Sequence, residues 1–256
     1  MFTILKSELS EKSSLKDMDE KTIQLRHGML FSYSKAFETA TKFVNTEDRF
    51  TENCISNFHF KNKHMVIASV INTIVDKQLE NISGGGTPEV YINRRKAFVF
   101  ADEGNVDHEG KYTVFGQIIT SLRNEVPDMS NFRHRGVDER AYKCKTKGEG
   151  AIDVGGVFRD SLVNIANELE DSVLPLLIKS PNNRNDHGSN RDCFIINPTS
   201  TSPSHLEMYK YLGAFIAFGI LSKSPVPLNL SPTVWKQILG EKMTFADLDM
   251  IDAYSS

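Results

Sequence analysis

Residues 148–170 read GEGAIDVGGVFRDSLVNIANELE, and this stretch decides how the rest of the chain is interpreted. It contains four glycines, which allow a tight turn or a close backbone approach: Gly148, Gly150, Gly155 and Gly156. Apolar residues then recur at steps of four, three and four and predict one buried stripe of an amphipathic helix: Phe158, Leu162, Ile165 and Leu169. Asp153 stands at the helix entry, where a carboxylate can accept from free backbone N–H groups.

A glycine-rich turn that leads into a helix is typical of phosphate-binding sites. This stretch, however, has neither the GxGxxG nor the GxxxxGK[ST] spacing, and the carboxylates of Glu149 and Asp153 would repel a phosphate. A glycine-rich packing corner is therefore favoured over nucleotide binding, and no cofactor is expected.

Length and composition are those of an ordinary soluble globular protein. The chain has 256 residues, a net charge of −3 and a pI near 6.2, which favours neither nucleic acid nor an anionic membrane as a partner. Its three cysteines, Cys54, Cys144 and Cys193, are far apart, as in reduced intracellular proteins. The first residues are too polar for a signal peptide, and no apolar run reaches the roughly 20 residues of a membrane span. We expect a cytoplasmic or nuclear protein without a membrane span.

Periodicity predicts a mostly helical fold after a polar lead-in over residues 1–21. Helices are predicted over 22–45, 113–122, 203–222 and 231–240, with a last turn from Thr244 to about 251. The predicted N-caps of the last four are Thr113, Ser202 or Ser204, Ser231 and Thr244. Residues 51–80 also have helical spacing, although their β-branched content leaves a strand open. The alternation of Val90, Ile92, Phe98 and Phe100 predicts extended structure over 89–100, and residues 136–147 are also predicted to be extended. The glycine run at 83–88 indicates a break within one domain. The apolar positions of the first helix are interpreted as core: Ile23, Leu30, Phe31, Phe37 and Phe43.

Three polar segments invite a functional interpretation. His187 lies near two aspartates in an asparagine-rich loop, 180–192, but it has no second His or Cys at zinc spacing, so no metal site is predicted. The acidic turn 102–110 lacks the ligand order of a calcium loop. The basic trio 94–96 (Arg-Arg-Lys) is a candidate anion site, although a solvated surface is the default interpretation of such a run.

Taken together, the motifs resemble the HECT-type ubiquitin ligases. GEGAIDVGGVFRD at 148–160 is similar to the family signature, a Gly-Glu-x-Gly-x-Asp-x-Gly-Gly-x-x-Arg-acid pattern that opens a helix. The segments that begin LPLLIKSPNNRND (174–186), PVPLNLSPTVWKQILGE (225–241) and TFADLDMID (244–252) follow in the family's order. PEVYINRRKAF (88–98) and TVFGQIITSLR (113–123) resemble the giant HERC-type branch, and the resemblance runs from about Thr22 to Asp252.

The resemblance implies an α+β fold that is predominantly α-helical, the large subdomain of the HECT N-lobe with a few short strands. Residues 22–256 would form a partial HECT domain. Family members carry ubiquitin as a thioester on a cysteine in a separate C-terminal lobe, in a Thr-Cys-x-Asn-like context, and dock the conjugating enzyme in a small subdomain after the last matched motif. No cysteine of this chain has that context, and Cys193 is expected to be a decoy. Val154 replaces an aromatic that serves a ubiquitin surface in the WW-domain branch.

We therefore expect the N-lobe scaffold of a ubiquitin ligase, a truncated piece that is inactive alone. Its partners, ubiquitin, a conjugating enzyme and a substrate protein, would bind the longer parent. The signature residues then have structural roles: Asp153 caps the helix, Gly155 and Gly156 permit the turn, and Glu149 pairs with Arg159. The alternatives are a non-catalytic module, derived from a HECT domain, that binds ubiquitin or another protein, and a hydrolase that uses His187.

Overall fold

The computed structural model describes residues 17–44, 51–81, 86–127, 129, 132, 140–148 and 155–254. The chain divides into two compact units, residues 1–81 and 82–256. This division falls at the glycine run, which the sequence analysis treats as a break within one domain.

The described part of the N-terminal unit is helical. It contains α1 (Glu20–Ala40), α2 (Ile55–Lys61), a 3₁₀ turn (Lys63–Met65) and α3 (Ala68–Asn81), so the strand alternative for residues 51–80 is wrong. α1 begins where the side chain of Asp19 accepts from Thr22 N–H at 2.9 Å. The buried hydroxyl of Ser34 accepts from Ile67 N–H at 2.9 Å and so ties α1 to the segment before α3.

The core positions predicted for α1 are correct only in part. Ile23 is buried, whereas Leu30 and Phe31 are exposed and Phe43 is 85% exposed. Phe43 lies beyond the last residue of α1, so the helical stripe that would have turned it inward does not reach it.

Two strands and two helices begin the C-terminal unit. Strand β1 (Glu89–Ile92) pairs in parallel with β2 (Lys143–Thr146), with Val90 opposite Cys144. Helix α4 (Arg94–Asp102) follows β1 at once, and α5 (Val114–Glu125) packs against β1. The extended structure predicted over 89–100 is therefore wrong beyond Ile92. Asn93 explains the change, because its side chain accepts from Lys96 N–H at 2.9 Å and begins a helix.

The remaining elements follow in the order of the predicted motifs. They are α6 (Gly156–Glu170), β3 (Leu177–Lys179), α7 (Pro181–Asn185), β4 (Phe194–Ile196), α8 (Pro203–Leu221), α9 (Pro232–Leu239) and α10 (Phe245–Asp249). β3 and β4 are antiparallel. The described residues thus form the predominantly helical α+β fold that was expected, and α5, α8, α9 and α10 confirm the predicted helices. No described helix is both long and apolar enough to cross a membrane.

An aromatic cluster forms the centre of the C-terminal unit. Tyr142, just before β2, contacts Phe158 of α6 edge to face, with ring centroids 4.8 Å apart. It also meets two rings of α8, Phe215 at 6.4 Å and Phe218 at 5.8 Å, while Phe115 of α5 contacts Phe215 at 5.2 Å. All five side chains are at most 1% exposed, so three helices and a strand share one core.

Glycine inside a helix costs about 1 kcal/mol against alanine, so the sequence predicts a close helix–helix contact at both glycines of α8, Gly213 and Gly219. Their surroundings in the structure differ. A Cβ on Gly219 would lie 2.9 Å from the carbonyl oxygen of Ser224 and from Val226 Cγ2, in the segment that folds back under the helix end. A Cβ on Gly213 would meet nothing within 4 Å. Close approach is therefore confirmed at Gly219, although its neighbour is a loop, and the prediction is wrong at Gly213.

Because the surroundings differ, replacing each glycine with alanine should change the stability in opposite directions. Gly213→Ala should raise the free energy of unfolding by up to about 1 kcal/mol, because alanine loses less backbone freedom in a helix. Gly219→Ala should lower it by about 1–3 kcal/mol, because the loop must move away. Urea unfolding of the two variants tests this, and a shift of both in the same direction would contradict it.

Candidate functional site

Tyr142, the residue before β2, holds the signature stretch in place through a hydrogen bond to Ser161. The buried hydroxyls of Tyr142 and Ser161 lie 2.8 Å apart, and Ser161 Oγ also donates to the carbonyl of Phe158 at 2.6 Å. Since serine has one hydroxyl proton, Tyr142 must be the donor to Ser161. This chain of two bonds fixes the strand to the first turns of α6.

The three signature glycines that the structure describes, Gly148, Gly155 and Gly156, do not pack against neighbours. Gly148 and Gly155 have φ values of 88° and 107°, a region that side chains rarely adopt, and Gly155 is the N-cap residue of α6. A Cβ on Gly148, Gly155 or Gly156 would meet nothing within 4 Å. The interpretation of this stretch as a packing corner is therefore wrong for these three glycines, and two of them are needed for the turn.

Part of the predicted signature lies outside the described residues: Glu149, Gly150, Asp153 and Val154. The helix cap by Asp153 and the ion pair between Glu149 and Arg159 stay predictions. Arg159 itself reaches from the first turn of α6 towards the segment after α8, where its Nε lies 3.5 Å from the hydroxyl of Ser224.

The predicted apolar stripe of α6 is confirmed, since Phe158, Leu162, Ile165 and Leu169 are all at most 1% exposed. The same buried side carries an acid that the sequence analysis missed. Glu168 accepts hydrogen bonds from Val114 N–H at 2.6 Å and Phe115 N–H at 3.0 Å, the first two residues of α5. Glu168 is three residues after Ile165, so the helical period places it on the same side as the buried stripe. An acidic residue among apolar stripe positions was the sequence signal that could have indicated a buried contact.

A second carboxylate, Asp107, organises the loop before α5. It is 2% exposed and accepts from the backbone N–H groups of Lys111, Tyr112 and Thr113 and from the Thr113 hydroxyl, at 2.7–2.9 Å. The Thr113 hydroxyl in turn accepts from Gly116 N–H at 3.1 Å, so the predicted cap of α5 is confirmed. The acidic turn that resembled a calcium loop therefore binds its own backbone.

The two carboxylates have opposite pKa shifts. Burial raises the pKa of Glu168 to about 7, against the two N–H donors that lower it, and the nearby charge of Asp107 raises it further. Burial also raises the pKa of Asp107, but the backbone and hydroxyl donors outweigh this effect and leave it below its usual value.

The asparagine-rich segment 180–192 holds the last described residues in place through hydrogen bonds. Asn182, 2% exposed, donates from Nδ2 to the carbonyls of Ser189 and Asp249, and its Oδ1 accepts from Ala253 N–H at 2.8 Å. Asn190 Nδ2 donates to the carbonyl of Met250 at 3.2 Å. The sequence analysis interpreted this segment as a polar loop and missed the Ser-Pro start of α7, where Ser180 accepts from Asn183 N–H.

Two more acids of the same unit bind local partners. Glu170 accepts from Asn229 N–H at 2.8 Å, which ties the end of α6 to the segment before α9. Asp247 forms a capping box with Thr244 and pairs with Lys236, so the predicted Thr244 cap is confirmed. Hydrogen bonds from Lys236 and Thr244 lower the pKa of Asp247 to about 2.

The cysteines and His187 do not assemble a reactive centre in the described chain. Cys144 is 2% exposed, and burial raises the pKa of the Cys193 thiol. Cys54 is the N-cap residue of α2, where its sulfur accepts from Asn57 N–H and donates to the carbonyl of Thr51. His187 is exposed, and among the described residues no group of three or more metal-binding side chains is close enough to hold an ion.

Part of the chain is similar in sequence to proteins of a known family. Residues 164–255 match the family model described as HECT-domain (ubiquitin-transferase). The mouse and human proteins named E3 ubiquitin-protein ligase HERC2 are 36% identical over 166 residues, or 64% of this chain. A human protein named probable E3 ubiquitin-protein ligase HECTD4 is 28% identical over 103 residues, or 40% of the chain. The chain spans 3% of the length of the first two relatives and 2% of the third.

The buried Glu168 predicts an unusual pH dependence. Because its pKa is about 7 in the folded state and 4.5 in the reference state, the folded state binds the extra proton. Its contribution to stability is therefore complete below about pH 4.5 and is lost as the pH rises through about 7. The shift corresponds to about 3 kcal/mol.

Glu168→Gln cannot ionise, so its free energy of unfolding relative to the wild type should rise by about 2–3 kcal/mol between pH 5 and pH 8. Urea unfolding over this range measures the difference. Glu125→Gln, at an exposed position of α5, is the matched control and should keep a constant difference. If the free energies of unfolding of Glu168→Gln and the wild type changed equally with pH, the prediction would be wrong.

Proposed function

We propose that this chain, which carries part of a HECT domain, is the N-lobe scaffold of a ubiquitin ligase related to the HERC branch. The observation that carries the proposal is the match of residues 164–255 to the HECT family model, because these residues run from within α6 to the last described helix, α10. In the longer protein, ubiquitin would pass from a conjugating enzyme to a cysteine as a thioester and then to a substrate lysine.

The geometry of the matched region fits a supporting role. Its buried acids and asparagines bind backbone groups, as Glu168 does at α5 and Asn182 does at Asp249 and Ala253. Groups held in this way position helices, and they are not free to exchange protons with a substrate. We infer that residues 22–256 contribute the large subdomain of the N-lobe, with residues 1–21 as a lead-in.

None of the three cysteines fits the nucleophile of the transfer reaction. A cysteine that accepts ubiquitin must be accessible and readily ionised. Cys144 and Cys193 are buried, burial raises the pKa of Cys193, and the thiol of Cys54 makes hydrogen bonds within a helix cap. We propose that the catalytic cysteine is not in this chain.

The partners follow from this assignment. Ubiquitin, a conjugating enzyme and a substrate protein would bind the longer protein, chiefly through parts outside this chain. The location that fits such a ligase is the cytoplasm or the nucleus.

A charging assay tests the assignment of the cysteines. Mixed with activating enzyme, conjugating enzyme, ATP and ubiquitin, the chain should form no ubiquitin adduct that a thiol reductant removes. The complete HECT domain of the mouse relative, charged beside it, is the positive control. A reducible adduct that disappears in Cys193→Ala would overturn the assignment.

A chimera tests the scaffold itself. The segment of the mouse relative's HECT domain that corresponds to residues 164–255 is replaced with the sequence of this chain. We expect the rate of ubiquitin transfer to stay within about tenfold of the rate of the unmodified domain, because the replacement supplies the helices and their buried contacts. A chimera that carries Leu169→Asp should lose transfer, since a charge would be buried at a fully enclosed position. A folded chimera without transfer would contradict the proposal.

A further inference from the structure

The parallel pair β1–β2 presents an outer face rich in positive charge. Lys143, Lys145 and Lys147 recur at every second residue, so their side chains leave the same face of the strand and its extension. Cys144, between the first two lysines, turns the other way and is 2% exposed. The chain as a whole has a net charge of −3, so this basic face differs in sign from the rest of the protein.

An open groove of about 540 Å³ lies on this face. Tyr91 and Lys145 form one side, with Lys145 Nζ 5.5 Å from the centre of the tyrosine ring. Tyr91 is 59% exposed, which leaves most of its ring available to a ligand. The remaining lining is mainly polar: Ile92, Asn93, Gln117, Thr146 and Lys147.

The polar base of the groove is rigid. Gln117 Oε1 accepts from Asn93 N–H at 2.6 Å, and its Nε2 donates to the carbonyl of Tyr112 at 2.8 Å. The side chain of Asn93 is engaged as the cap of α4. Since these amides are held by internal partners, the groups left for a ligand include the lysine ammonium groups, the tyrosine ring and the buried Oγ1 of Thr146, which has no hydrogen-bond partner among the described residues.

The protein already holds one carboxylate on this face. Glu89 pairs with Lys145 and lies 3.9 Å from Lys143, so the lysines accept an acidic side chain in this geometry. The next basic residue along the strand, Lys147, has no carboxylate within ion-pair distance in the described part of the chain. One carboxylate therefore faces three lysines, and the face keeps a net positive charge.

Helix α4 adds to the positive potential at the same end of the sheet. Its first turn begins with the trio Arg94, Arg95 and Lys96, directly after the groove residue Asn93. Cations at a helix N-terminus interact unfavourably with the helix dipole, so an anion bound nearby would offset this cost.

We propose that this groove binds an acidic peptide segment in an extended conformation. Successive same-face residues of an extended chain are about 6.6 Å apart, which equals the spacing of the lysines, so acids at alternate positions could follow Glu89 along the strand. The exposed ring of Tyr91, which lies on the same face as Lys145, would contact the methylene groups of these acidic side chains. Glu89 and Asp160, which lies 3.8 Å from Arg94, interrupt the positive charge of this region, so separate carboxylates at alternate positions of a peptide fit it better than the continuous negative charge of a nucleic acid. This inference is independent of ubiquitin transfer.

The probe is a fluorescein-labelled peptide of six Glu-Val repeats, measured by fluorescence anisotropy with the whole chain at 50 mM salt. We expect saturable binding that weakens at 500 mM salt, and no binding of the matched Gln-Val peptide. Lys147→Glu should weaken binding roughly tenfold, because one ion pair is lost and a repulsion is added.

Lys242→Glu is the matched control, since it makes the same charge change at an exposed position outside the groove. It should leave the affinity within twofold. Tyr91→Ala should also weaken binding, whereas a non-specific charge effect would leave it unchanged. Melting curves check that each variant is folded.

Three outcomes would overturn the proposal. They are no binding of the acidic peptide, equal losses in Lys147→Glu and Lys242→Glu, or tighter binding of a twelve-nucleotide oligouridylate that depends on Lys147. The last result would identify the face as a nucleic-acid surface.

Discussion

The arrangement of the C-terminal unit depends on a carboxylate buried at the start of a helix. The first N–H groups of a helix have no partner within it, and α5 begins inside the protein, where water cannot supply one. Glu168 provides both oxygens to Val114 and Phe115, and the Thr113 hydroxyl serves Gly116. Because Glu168 belongs to α6, the bond that completes one helix also fixes the distance and direction of the next. Burial of the acid, which raises its pKa to about 7, is the cost of this link.

Side chains that bond to backbone groups also join separate segments around α7, where amides take the place of carboxylates. Asn182 binds the backbone of Ser189, Asp249 and Ala253, so a short helix holds the last described turn in place. A neutral amide can donate and accept at once and carries no charge to desolvate. It therefore suits a position that must join several backbone segments. Gly188 belongs to this arrangement, since a Cβ there would lie 2.7 Å from Ala253 Cβ.

Local patterns predicted the helices well because caps and apolar spacing act within one turn. Ser202, Thr113, Ser231 and Thr244 begin helices as expected, and the stripe of α6 is buried throughout. The errors arose where the partner is distant in sequence. Glu168 and Val114 are 54 residues apart, and nothing near Glu168 indicates that a helix end will meet it. Asn93 is a different case, since its capping signal was local but was outweighed by an apparent alternation of Phe98 and Phe100.

These contacts also explain why three acids of the C-terminal unit are better understood as structural than as reactive. A carboxylate acts as a base when an oxygen is free to take a proton from a substrate. The oxygens of Asp107 and Glu168 are occupied by backbone donors, and Asp247 is occupied by Lys236 and Thr244. Lys147 is a surface cation without a carboxylate partner in the described part of the chain, whereas Arg94 at the start of α4 pairs with Asp160. The inward acids Asp107 and Glu168 are therefore suited to holding the fold, whereas the basic face around Lys147 is suited to attracting a negatively charged partner.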